Sequence, residues 1–424
     1  MKKIILWSIV SAVIVGIAVD AFLWFHKPQV ITLSNGTKLT LLGVTYGKHH
    51  VAPKIKIAGG RARNGGTRFD STNDTVVVWI EAEHKPNQYP NYELMVYDKA
   101  NTACVSTFAR NQSQIKSGVD IQGFMLDAFP RWDSKMILRV MSWGNNGQRV
   151  SKEQFFVSNP ARDKSFAKWA PDPLPDAQSD GDLNVTLTRL VDDASFNRGD
   201  GVSQQDPMSR AVLAAFHTEQ KGIIVTNWQP VRITTSDASG NSIENNSWSN
   251  GRDDNGDATM TYQWGLWPNQ TPWKLHVEMS RTSGFNDDEV WTVQNVPVNP
   301  GSQQDLWNYS GRNSGTKAAF AETTLSGIQL KLFPAIQITD QNFGNGERQG
   351  GVRVMTNPDV PEGYRLSIVA TDEQGRQLQS WGPNGGGGNY ISQFPNIRNA
   401  KTLNITMALH KSRFVEFTVN PAKQ

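Results

Sequence analysis

Cysteine is almost absent: Cys104 stands alone among 424 residues. No internal disulfide can form, so the chain is not a small disulfide-stapled secreted domain, and one thiol in this setting reads first as a small buried residue. A nucleophile elbow, a His-Glu-x-x-His pair, a glycine-rich phosphate loop and a metal-spaced cysteine cluster are missing too. The enzyme classes that announce themselves locally therefore drop out; no catalytic residue, cofactor, metal or nucleic-acid partner is expected. Acidic residues are missing between Asp20 and Asp70, a stretch that holds Lys27, Lys38, Lys48, Lys54, Lys56, Arg61, Arg63 and Arg68. Beyond Asp70 acidic residues outnumber basic ones, so the overall +3 conceals a basic base and an acidic remainder.

What is present points to a folded, turn-rich β protein. Hydrophobic residues make up 38% and charged residues 19%, with 36 Gly, 21 Pro and 14 Trp, outside the range of disordered chains. The length predicts two or three domains, because one hydrophobic core seldom organises so many residues.

The apolar run Ile4–Phe25 would be about 33 Å long as a helix, enough for a bilayer core of roughly 30 Å. Lys2 and Lys3 precede it, Lys27 and Pro28 follow it, and Trp7 and Trp24 sit near its ends, where amphipathic rings favour the headgroup zone. The run is expected to be an N-terminal membrane anchor over residues 1–27, with the bulk of the chain on the extracytoplasmic side of a bacterial envelope. A cleaved signal peptide is the alternative, with Val19 and Ala21 before the cut; Phe22–Phe25 would then leave an apolar new terminus. Asp20 is costly at a bilayer centre but reaches water near the outer end.

Beyond the anchor one pattern occurs three times. Tyr92, Leu94 and Val96 lead to Asp98, then Phe129-Pro130, an apolar strand at Ile137–Val140, and Phe155, Val157 and Pro160. Val231 and Ile233 lead to Asp237 and Gly240, then Trp267-Pro268, then Leu275, Val277 and Met279, and Trp291, Val293 and Pro297. Tyr364, Leu366 and Ile368 lead to Asp372 and Gly375, then Phe394-Pro395, then Leu403, Ile405 and Met407, and Phe417, Val419 and Pro421. An aspartate followed three residues later by Gly or Asn predicts a hairpin turn, since the Asx carboxylate bonds its own backbone and the later residue tolerates positive φ. The aromatic-Pro pair marks a crossing between sheets, where proline need not donate to a ladder. Alternation along Leu275, Val277 and Met279 against His276, Glu278 and Ser280 predicts half-buried strands.

Earlier strands at Leu39–Val44, Leu183–Leu187 and Ile328–Leu332 bring each copy to the size of a sandwich module. In this strand order the chain resembles the tandem immunoglobulin-like or fibronectin-like β-sandwich proteins of bacterial cell envelopes, a likeness of architecture that transfers no site. It implies three sandwich modules at 28–160, 182–298 and 325–424, joined by a Pro-rich linker at 161–181 and a Gly, Ser and Asn-rich linker at 299–324. Asp206-Pro207 before Ala211–Phe216 carries helix-start signals, but the repeat makes that segment a strand.

Several residues invite chemistry. Arg61, Arg63 and Arg68 are candidates for contact with an anionic partner, either headgroups or envelope polymers; a solvated loop is the plain alternative. Asp253, Asn255 and Asp257 resemble a calcium loop, but Trp264 stands where its closing Glu belongs, so a turn is expected. His49 and His50, being adjacent, point to opposite faces of a strand. Arg198-Gly199-Asp200 reads as a polar turn. Trp228, Trp267, Trp273 and Trp291 fall where sandwich cores take large rings, while Trp248, Trp264, Trp307 and Trp381 lie among loop residues. The expected function is a non-enzymatic binding, adhesion or scaffold role toward an envelope protein or glycan, with loops at one end of a module as determinants. The alternative is a membrane-tethered hydrolase whose paired carboxylates cleave envelope glycans.

Overall fold

The computed structural model describes residues 29–423 apart from 57–61, 65–67, 86–91, 108, 145–146, 163, 195–210, 247–248, 264, 268–271, 308–317, 340–348, 379, 395–396 and 398–399. The expected anchor, with Lys2, Lys3, Trp7, Trp24 and Lys27, lies outside the described residues, as does Arg198-Gly199-Asp200. Among the described residues no helix is long and apolar enough to cross a membrane.

The described chain is mainly β, in several sandwich-like sheets. In the first pair, Lys38–Val51, Arg68–Glu83, Val119–Leu126 and Ala109–Lys116 run side by side with Val30–Thr32 at the edge. Facing them are Gly147–Ser158, Lys135–Gly144, Tyr92–Tyr97 and Ala103–Thr107. The alternation read from sequence fills the space between: Val76, Val78 and Ile80 from one sheet meet Leu94, Val96, Leu138, Val140 and Phe155 from the other in one buried cluster. Phe129 is fully buried after a strand of one sheet and before a strand of the other. The crossing predicted from its proline is thus present, and buried Trp267 and Phe394 occupy the matching places in the later copies.

The hairpin turns follow the Asx prediction. At Asp98, Asp237, Asp253 and Asp372 the backbone N–H of the residue three ahead donates to the aspartate carbonyl. Each aspartate carboxylate also accepts the backbone N–H of the residue four ahead, at 2.7, 3.2, 3.1 and 2.9 Å respectively. The residues three ahead, Asn101, Gly240, Gly256 and Gly375, have φ of 65°, 92°, 83° and 74°, which only Gly or an Asx residue adopts cheaply. Asp253 is therefore explained by its turn, closing the hairpin of Ser249–Arg252 and Ala258–Gln263.

Ala211–Gln220 is a strand, as the repeat required. Its helix-favouring residues give way because Ala211, Val212, Ala214, Ala215 and Phe216 are buried on both faces of a sheet between Leu183–Ala194 and Ala258–Gln263. Tertiary burial overrides local propensity here.

The later copies do not close on themselves. In the first pair Lys135–Gly144 turns back into Gly147–Ser158, its own successor. In the second pair the outer neighbour of Trp273–Arg281 is Arg413–Val419, from Trp273↔Val419 to Met279↔Arg413. The successor of Trp273–Arg281 in sequence, Val290–Gly301, instead lies beside Thr402–Lys411 in the third group. The two closing strands are reciprocally exchanged, and both end alike: Val298–Gly301 pairs in parallel with Ala335–Ile338, and Ala422–Lys423 with Val191–Asp192.

Strand pairing therefore departs from the segment boundaries expected at 182–298 and 325–424, since 413–423 complete the second sheets and 290–301 the third. Both closing strands carry the same aromatic, valine and proline signature, so alternation cannot say which sheet each completes. The two linkers also shrink. Asp176–Asp180 pairs with Leu183–Leu187, and within 299–324 lie the end of Val290–Gly301, a short helix Gln303–Trp307, and the start of Ala321–Leu325. The irregular remainder of the first linker is packed: Asp172 N–H donates to Thr418 O at 2.7 Å, and Phe166 sits edge-on to Trp132.

Candidate functional site

A cluster of buried polar groups gathers where the exchanged strands pass between the second and third sheet groups. It starts from ordinary alternation. On Trp273–Arg281 the even-numbered residues share one face; His276 is exposed, but Glu278 and Ser280 are 2% and 4% exposed. They are covered from far along the sequence, by Arg365, His410 and Ser412.

Glu278 lies opposite Arg232 on the neighbouring strand and accepts its Nε at 2.9 Å. Arg365 binds it with both arms of its fork, Nε to Oε1 and Nη2 to Oε2, each at 2.7 Å. Ser412, the single residue between Thr402–Lys411 and Arg413–Val419, donates its hydroxyl to Oε1 at 2.7 Å. Burial alone would raise the Glu278 pKa. The bonds from Arg365 and Ser412 and the charges of Arg365 and Arg232 outweigh that, so the carboxyl is held below the ordinary glutamate value.

Two residues further along the same strand face, Ser280 Oγ and His410 Nε2 are 2.9 Å apart. His410 is fully buried, tilted against the Phe285 ring, and its Nδ1 has no hydrogen-bond partner. Burial, aided by the Arg281 charge, pushes its pKa down to about 4, so the ring is neutral near pH 7. Arg281 in turn grips both oxygens of Glu289 at 2.5 and 2.7 Å.

Chemically this arrangement holds rather than reacts. The Glu278 carboxylate receives the Arg365 fork, a single N–H from Arg232 and a hydroxyl, two donors on each oxygen, and has no oxygen left for proton transfer. The Ser280–His410 pair has the make-up of a nucleophile–base dyad, but both members are sealed from solvent. What remains is an electrostatic rivet joining strands Trp228–Asp237, Trp273–Arg281, Tyr364–Asp372 and the crossover at Ser412.

A second polar joint links the first and second sheet pairs. Asn241 Oδ1 accepts the Phe129 backbone N–H at 3.1 Å and Arg131 Nε at 3.0 Å, while its Nδ2 donates to Asp237 at 2.8 Å. Trp267 Nε1 donates to Thr102 O at 3.1 Å. In the first pair, His84 is clamped between Lys85 O at 2.9 Å and Asp120 at 2.8 Å, with the two side chains 4% and 3% exposed. Burial opposes the His84 charge, yet the carbonyl and the carboxylate outweigh it and raise its pKa.

The residues singled out from sequence are scattered. Arg61 lies outside the described residues, Arg63 falls in the small ladder of Lys54–Lys56 with Ala62–Asn64, and Arg68 is exposed with Nε 3.5 Å from Asp70. His49 and His50 do face opposite ways: His49 is exposed and bonds Asp70 at 2.8 Å, whereas His50 is buried between Thr45 and Thr75. Trp228, Trp267 and Trp273 are buried, and Trp291 is half-buried against the third core. Trp248 and Trp264 lie outside the described residues, and the side chains of Trp307 and Trp381 are not among those described. Sequence reasoning missed Arg365, His410 and Ser412 altogether. Their only signal is polar residues on an outward face, shared by every solvated strand.

No protein-family model matches the chain, and no curated protein is similar to it.

Proposed function

We propose that this is a membrane-anchored, extracytoplasmic binding or scaffold protein of a bacterial envelope, non-enzymatic, whose sheet groups are tandem immunoglobulin-like modules. The observation that carries the non-enzymatic reading is how the buried carboxylates are used. Asp98, Asp237 and Asp372 hold hairpin turns, Asp120 holds His84, and Glu278 rivets the junction. Such charges shape and stiffen an array instead of attacking a substrate. Crossovers and packed linkers support the same reading, because a stiff arm presents its loops at a fixed distance from its base. The base is the N-terminal apolar run, and the acid-free stretch with Arg61, Arg63 and Arg68 suits an anionic surface beside it.

The test is fractionation of bacteria producing the full chain. Recovery in carbonate-washed membranes, together with digestion by protease added outside the cytoplasmic membrane, supports the reading; release into the soluble fraction defeats it. Turnover of envelope glycans by the purified full-length chain would favour the tethered hydrolase instead.

A further inference from the structure

We infer that the exchange of closing strands makes the second and third sheet groups a single opening unit, in which neither can shed its closing strand without loosening the other. Arg413–Val419 brings Val415, Phe417 and Val419, all nearly or fully buried, into the second core. It is tied through Ser412 alone to Thr402–Lys411, whose Leu403, Ile405, Met407 and Leu409 are fully buried in the third core. In the opposite direction Val290–Gly301 brings Val296 into the third core and leads back through 282–289 to Trp273–Arg281 in the second.

Detaching either strand therefore pulls on a buried strand of the other group, and detaching Arg413–Val419 also draws Ser412 away from Glu278. The first pair has no such link, because Gly147–Ser158 closes on its own predecessor. Among the described residues its joint to the second pair carries no shared strand: the two share one continuous buried apolar cluster, with Arg131, Asn241 and Trp267 as polar ties. A packed face can part without drawing a strand out of either sheet, whereas an exchanged strand cannot, so coupling between second and third should exceed coupling between first and second. The consequence is an arm with no independent hinge in its outer two thirds, the property a presenting scaffold needs.

Hydrogen–deuterium exchange of the full-length chain, read by mass spectrometry, tests this. Phe417→Ala should speed exchange roughly a hundredfold at 275–279 in the second group and equally at 403–407 in the third, leaving 136–141 in the first unchanged. Val296→Ala, in the other closing strand, should accelerate the same two segments. Acceleration confined to the mutated group, or spread evenly into the first, overturns the inference. Should Phe417→Ala not fold, the unmutated chain at alkaline pH, where exchange is limited by opening, decides. Segments 275–279 and 403–407 must then open in one correlated step distinct from 136–141, and separate steps refute the coupling.

Discussion

Replacing Glu278 with glutamine keeps the shape of the junction and removes one charge. The carboxylate is 2% exposed and accepts two arginines and a serine. Glutamine retains one acceptor oxygen, but presents an N–H2 to donors that need an acceptor. Breaking a buried ion pair from one side costs about 3 to 5 kcal/mol when the orphaned charge stays buried. Here the orphans are Arg232 and Arg365, whose side chains are 26% and 38% exposed, so water recovers part of that loss and the expected cost is about 2 to 3 kcal/mol. The assay is urea denaturation of the full chain followed by tryptophan fluorescence, with Arg365→Met and the double mutant completing a thermodynamic cycle. A loss below about 0.5 kcal/mol, or a coupling energy near zero, would mean the rivet is a surface ion pair in disguise and would refute the reasoning.

Two buried histidines set opposite pH limits. For His410 the folded pKa of about 4 lies below the unfolded 6.5; the unfolded chain then binds more protons, and stability climbs with pH across that window by up to about 3 kcal/mol. His410→Gln should flatten this acid limb in denaturation series from pH 4 to 7. The raised pKa of His84 works the other way: its contribution is full below 6.5 and is lost as pH rises through the folded value, so His84→Gln should selectively weaken the acid side. Asp237→Ala should cost about 3 kcal/mol and Asp253→Ala about 1, measured by thermal unfolding. Both brace a turn, but Asp237 also orders Ser239 and Asn241, the latter bridging to Phe129 and Arg131. Neutralising Arg61, Arg63 and Arg68 together should reduce co-sedimentation with anionic vesicles at low salt; unchanged binding removes the basic stretch as a surface contact.

Local chemistry was legible where it is local. The Asp turns and the buried aromatic before each crossing proline follow from period and turn residues close by in sequence, while the strand at Ala211–Gln220 follows from the threefold repeat against its own helix signals. Which sheet receives Phe417 or Val296 does not, because both closing strands carry the same alternation and satisfy either edge. The junction was illegible for the same reason. Glu278 shares its face with exposed His276, and only a serine 134 positions away and an arginine 87 away turn that polar face into an interior.

The crossover also imposes an order on synthesis. Trp273–Arg281 is made long before Arg413–Val419, and until the later strand arrives its outer edge has no antiparallel partner and its Leu275, Val277 and Met279 lack the cover of Val415, Phe417 and Val419. During that interval the nascent chain carries an open β edge of the kind that recruits other chains. A chain cut short before Arg413 keeps that edge open permanently, which marks incomplete copies for aggregation or proteolysis and leaves full-length ones sealed.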